Sequence, residues 1–127
     1  MREFEVKITG SMIELSPRER VSFKSLDVAE PLDSLTENGQ TVRVNIGNIV
    51  TMSVHNEKAK ENKDYNVFIL VDKETGKRYR SGSVSLYNSI SDIMEEMQGI
   101  DEDVIVEIYK RESKNYKGKG FLTCYLV

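Results

Sequence analysis

Thr41-Val42-Arg43-Val44-Asn45-Ile46-Gly47-Asn48-Ile49-Val50-Thr51-Met52-Ser53-Val54-His55 decides the architecture. Val42, Val44 and Ile46 alternate with Arg43 and Asn45, and Val50, Met52 and Val54 resume the alternation. A period of two is that of a half-buried strand. Gly47 interrupts it, where a bulge or sharp bend fits. The stretch predicts one long bent strand from about Thr41 to His55.

Downstream, Tyr65–Val71 reads as a second strand, and Arg78-Tyr79-Arg80-Ser81 as its hairpin partner. The turn between them, Asp72 to Lys77, offers Gly76 for a left-handed position. Leu86, Ile90, Ile93 and Met97 then recur at helical spacing. They predict an amphipathic helix from Ser85 to about Met97, capped by Ser83 or Ser85 and ended by Gly99. Val104–Tyr109 and Phe121–Val127 are the closing strands, with Val104, Val106 and Ile108 toward the core. Three strands, a helix and two strands is the order of an OB-fold, whose helix sits between the third and fourth strands of a five-stranded barrel. The expected fold is mainly β (α+β): an OB-like five-stranded barrel, or a curved antiparallel sheet with one covering helix.

Upstream the pattern is weaker. Phe4, Val6 and Ile8 alternate with Glu5 and Lys7, and residues 1–15 read as a loosely attached N-terminal strand. Residues 16–20 read as a polar connection, Val21–Val28 as a further strand and Ala29–Leu35 as a short helical turn. Asn38-Gly39 marks a turn. Residues 56–64 read as a solvated loop.

At 127 residues the chain makes one domain, 1–127. Its longest apolar run, Val67–Val71, is far too short for a membrane span. Met1-Arg2-Glu3-Phe4-Glu5 lacks the apolar core of a signal peptide, so a cytoplasmic location is expected. One cysteine (Cys124) and one histidine (His55) cannot make a four-ligand zinc site. Cys124, mid-strand, reads as a small buried core residue. Asp92 and Glu96 share a helix face near Asp101-Glu102-Asp103, but this cluster looks solvated and lacks the pattern of a calcium loop. No catalytic signature occurs, so the chain reads as non-enzymatic and without a cofactor.

Positive charge is concentrated although the net charge is −3. Residues 110–119 hold five cations, Lys110, Arg111, Lys114, Lys117 and Lys119, against one anion, Glu112. Tyr116 and Phe121 sit among them. Cations with aromatics on a β-scaffold suit a phosphate backbone with unstacked bases. A second patch holds Lys73, Lys77, Arg78 and Arg80. Strand alternation puts Arg78 and Arg80 on one face and Tyr79 on the other, which favours the arginines as phosphate contacts. The two patches are expected to share one groove, with the acidic helix side repelling a polyanion. Gly118-Lys119-Gly120 lacks the spacing of a phosphate loop.

Three stretches carry a resemblance: Ser81-Gly82-Ser83, the helix ending Asp92-Ile93-Met94-Glu95-Glu96-Met97, and Ser113-Lys114-Asn115-Tyr116-Lys117-Gly118-Lys119 followed by Phe121-Leu122-Thr123-Cys124. From Tyr79 onward the chain resembles small single-stranded-DNA-binding proteins of phages and mobile elements of Gram-positive bacteria. The resemblance implies an accessory protein of replication or recombination, acting on single-stranded DNA and with a phage or host replication protein as a further partner. Ordinary bacterial single-stranded-DNA-binding proteins carry a long acidic tail; the ending Tyr125-Leu126-Val127 implies no recruitment of that kind. Residue types do not separate DNA from RNA. A second reading stays open: a small phage-encoded inhibitor docking on a host protein through its sheet or acidic helix. Edge strands of so small a sheet also suit pairing into a homodimer.

Overall fold

The computed structural model describes residues 3–112 and 120–127. Its strands are β1 (Phe4–Ser11), β2 (Glu30–Pro31), β3 (Val42–Asn56), β4 (Asp64–Asp72), β5 (Arg78–Ser81), β6 (Ile105–Glu112) and β7 (Gly120–Leu126). Its α-helices are α1 (Pro17–Phe23), α2 (Leu32–Leu35) and α3 (Val84–Glu96). The strands form one sheet in the order β2-β5-β4-β3-β6-β7, with β1 also paired to β3. The sheet curls into a half-barrel around α3, an OB-like α+β fold. Strands β3 to β7 are the five expected of it, and α3 falls between the third and fourth of them. Among the described residues, no helix is long and apolar enough to cross a membrane.

Strand β3 organises the sheet because it bends. Val42–Asn45 pair with β6, and Val50–Asn56 pair with β1. Strand β4 runs beside β3 from Ile46 to His55, and the register slips between Ile46 and Asn48. That slip is a bulge at Gly47, and a Cβ built there would stand 3.0 Å from the Cα of Lys73. One extra residue reverses the side-chain alternation beyond it. Val44 and Ile46 therefore join the inner core with Phe68, Leu86, Ile90 and Val106, whereas Val50, Met52 and Val54 join an outer core with Val6, Phe23 and Ile69. The sheet is apolar on both faces through β3 and β4, and each face needs a cover.

Helix α3 covers the inner face. Ser83 Oγ caps it by accepting from the Leu86 N–H at 3.2 Å. Leu86 and Ile90 are fully buried, and Tyr87 leans on Phe68 with ring centroids 5.4 Å apart. Val104, Val106 and Ile108 line the inner core as expected.

The N-terminal third covers the outer face, and here two sequence expectations change. Residues 21–28 are not a strand. Helix α1 occupies Pro17–Phe23, and a 3₁₀ turn follows at Leu26–Val28. The cause is local: Ser16 Oγ accepts from the Glu19 N–H at 3.2 Å, while the Glu19 carboxylate accepts from the Ser16 N–H at 3.0 Å. This reciprocal cap, with proline at the first helical position, starts a helix within the segment expected to be a polar connection. Nor does β1 hang loosely, since it pairs with β3 at seven positions and Val6 is buried. Phe23, 2% exposed, fixes α1 in the outer core.

At the far end of β3 a histidine clasps the next connection. His55 Nδ1 lies 2.6 Å from Asp64 Oδ1, and Nε2 lies 2.8 Å from Glu57 Oε2. Lys63 also donates to Glu57, at 3.0 Å. The hydrogen bond to Asp64, then that to Glu57, hold the imidazole pKa above its ordinary value.

Two predictions follow from these contacts. Phe23→Ala should cost about 3–5 kcal/mol in chemical denaturation, as for other buried aromatics; a cost under about 1 kcal/mol would make α1 peripheral. The histidine clasp favours the protonated form in the folded state. Its contribution should be complete below about pH 6.5, the unperturbed histidine value, and lost as pH rises through the raised folded value. Melting temperature should fall across that window in the native chain. His55→Asn should flatten that slope, and parallel profiles for the two proteins would show that the clasp does not stabilise the fold.

Candidate nucleic-acid interface

The two arginines of the 73–80 patch do point away from Tyr79, but they are half-buried rather than free in solvent. The Arg78 guanidinium lies 3.9 Å from the Phe23 ring centroid, and its Nη1 donates to Ser22 Oγ at 2.8 Å. Arg80 Nε donates to the Ala29 carbonyl at 3.1 Å. Both side chains fasten the N-terminal segment onto β5. An OB barrel presents the face of its second and third strands to oligonucleotides; here those strands are β4 and β5, and residues 22–29 lie over that face. Lys73 is paired as well, with Nζ 2.8 Å from Asp103 Oδ1. Lys77 is exposed in the turn. These contacts do not form the single groove expected of the two patches, whose strands are separated by β4 and β3 in the sheet order.

The 110–119 patch begins on β6, at Lys110 and Arg111. Lys110 and Arg111 are exposed, and Phe121 is 38% exposed. Lys114, Tyr116, Lys117 and Lys119 lie outside the described residues.

The register of the β6–β7 hairpin assembles a surface that the sequence reading missed. Glu107 pairs with both Arg43 on β3 and Tyr125 on β7. The next same-face pairs are Tyr109 with Thr123 and Arg111 with Phe121. All alternate with Val106, Ile108 and Leu122, which are buried inside the curl, so they share its outer face. The Tyr109 and Tyr125 rings lie 5.8 Å apart at 55°. Tyr125 is 52% exposed. Three aromatic rings and two guanidinium groups thus occupy one face.

Glu107 is the only carboxylate in those rows, and it is engaged. Thr41 Oγ1 donates to it at 2.6 Å, and Arg43 Nε donates at 2.7 Å. Those two bonds, Thr41's first, hold its carboxyl below the ordinary glutamate range. The pairing balances its charge and fixes Arg43 beside Tyr125.

Comparison with family models, curated proteins and solved structures finds no match. The case for a function therefore rests on the surface itself.

The remaining candidates offer little chemistry. Cys124 is half-buried rather than fully buried, and burial pushes its thiol up to about 11, so the thiolate is scarce at neutral pH. Among the described residues, no group of three or more histidine, cysteine, aspartate or glutamate side chains could hold a metal ion.

Arg78→Ala should accordingly behave as a stability variant. It removes a stacked cation and a hydrogen bond from the α1 contact, costing about 1–3 kcal/mol. Oligonucleotide affinity measured below the melting temperature should be unchanged, and a specific loss of affinity would return Arg78 to the binding surface.

Proposed function

We propose that this chain is a non-catalytic single-stranded-DNA-binding protein whose strand lies across the outer face of the β6–β7 hairpin. The observation that carries the reading is the row set built on half-buried Tyr109 and exposed Tyr125 and Phe121, with exposed Arg111 beside them and Arg43, paired to Glu107, at its edge. Aromatic faces stack unpaired bases irrespective of sequence, and adjacent cations follow the phosphates. Lys110 and Arg111, the described cations of the basic segment, are exposed on β6 of this same hairpin. A duplex keeps its bases stacked inside and offers nothing to three separate rings. Service to a mobile genome's replication or recombination is the corresponding biological role, following the resemblance carried by residues 81–83, 92–97 and 113–124.

One observation favours the rival reading of a protein-directed interaction module. A mainly apolar groove of about 440 Å³ lies between α3 and the sheet, with Val84, Tyr87 and Phe68 among its walls. It could seat apolar side chains of a protein partner.

Fluorescence anisotropy with labelled oligonucleotides across a salt series separates the two. Single strands should bind more tightly than duplex, with affinity falling steeply with salt. Tyr125→Ala should cost about 1–3 kcal/mol of affinity, and Tyr125→Phe should retain most of it, because the ring face carries the contact. The alanine change should cost about 0.5–1.5 kcal/mol of stability, the scale of the lost ring pair with Tyr109, so affinity is measured well below the melting temperature. Replacing both Tyr109 and Tyr125 by alanine without loss of affinity would remove the platform. Parallel titrations with RNA of the same sequence decide between the two nucleic acids.

A further inference from the structure

Where the platform meets the entry to β3 there is a cavity of about 230 Å³, walled by Gly39, Gln40, Thr41, Tyr109, Lys110 and Tyr125. We infer that this cavity holds one unstacked nucleotide of the bound strand, with its base against the two tyrosines and its phosphate on Lys110. The inference rests on the proposed function and gives it a defined subsite.

The walls supply what one nucleotide needs. Tyr109 and Tyr125 present aromatic surface from adjacent strands, tilted so that they form a corner rather than a flat stack. Lys110 Nζ donates one hydrogen bond, to the Asp33 carbonyl at 3.2 Å. An ammonium carries three donors, so two remain for phosphate oxygens; Lys110 leaves β6 on the side opposite Tyr109 and reaches the cavity from its edge. The Thr41 hydroxyl is already engaged by Glu107, which keeps that carboxylate turned to its own partners. Among the described residues, the Gln40 side-chain amide has no hydrogen-bond partner and is exposed. It brings both a donor and an acceptor, the complement of the paired donor and acceptor on a base edge.

The backbone leaves room for this ligand. Asn38 and Gly39 both have left-handed conformations, with φ of 59° and 77°. The Gln40 N–H closes the turn on the Glu37 carbonyl at 3.2 Å. At Gly39 such a backbone favours glycine, which also keeps that wall free of a side chain.

The test combines anisotropy with amide chemical shifts in the intact chain. The probes are a ten-residue deoxythymidine oligonucleotide, free thymidine monophosphate and inorganic phosphate. The oligonucleotide should shift the amides of residues 39–41 and of Tyr109. Gln40→Ala should weaken oligonucleotide binding by about three- to tenfold, the scale of one hydrogen bond. Lys110→Ala should flatten the log–log salt dependence by about 0.7, one phosphate contact on a single strand. If the oligonucleotide binds and Tyr125→Ala weakens it, while residues 39–41 stay unshifted and Gln40→Ala is silent, the subsite is overturned and the platform stands. If no oligonucleotide binds, the proposed function falls, and the subsite with it. Inorganic phosphate reproducing every shift reduces the cavity to an anion site. Free thymidine monophosphate shifting residues 39–41 without any binding of the oligonucleotide makes a free nucleotide the ligand, and also overturns the inference.

Discussion

The bulge at Gly47 is the constraint on which the rest of this structure depends. A strand of fifteen residues with unbroken alternation would present one apolar face and one polar face. Gly47 divides β3 into two strands of opposite sense, Val42–Ile46 facing inward and Val50–Val54 facing outward. The inward part needs β6, β7 and α3 to bury it. The outward part needs β1 and α1. The close approach of Lys73 to Gly47 leaves little space for any other residue there. Both cores, and the division of labour between the N-terminal and C-terminal thirds, follow from one inserted residue.

That constraint also explains what could be read from the sequence. Strands β3, β4, β6 and β7 and helix α3 are legible because each is long and periodic, whereas their order in the sheet is not. The bend at Gly47 was legible, but not its effect on facing: Val44 and Val50 look equivalent by parity, and only the bulge separates them. The helix α1 was missed although Ser16-Pro17-Arg18-Glu19 carries a capping signature, because the apolar residues from Val21 to Val28 suggested strand instead. Alternation puts Arg78 and Arg80 on the side of β5 away from Tyr79, where the structure has them. What covers that side is set by residues 22–29, about fifty positions away, and no local pattern announces such a contact.

The candidate site divides in the same way. Arg111 and Phe121 stand out in the sequence because they flank a basic run. Arg43, Tyr109 and Tyr125 do not, since each lies in a separate strand and looks unremarkable in its own context. Their meeting depends on the register of β6 against both β3 and β7. A reading that aligns Ile108 with Cys124 finds them, because Tyr109, Thr123 and Tyr125 then fall on the side away from the apolar residues.

The split pairing of β3 has a consequence for how the chain is made. Its outward half finds β1 and β4 close by in the order of synthesis. Its inward half waits for β6, some sixty residues later, before Val44 is covered from that side. Until then a nascent chain exposes an unpaired apolar strand edge, the sort of surface that recruits a neighbouring chain instead of its own partner. Asn45 and Arg43, polar residues placed within that waiting stretch, limit how well such an edge can pair with a stranger.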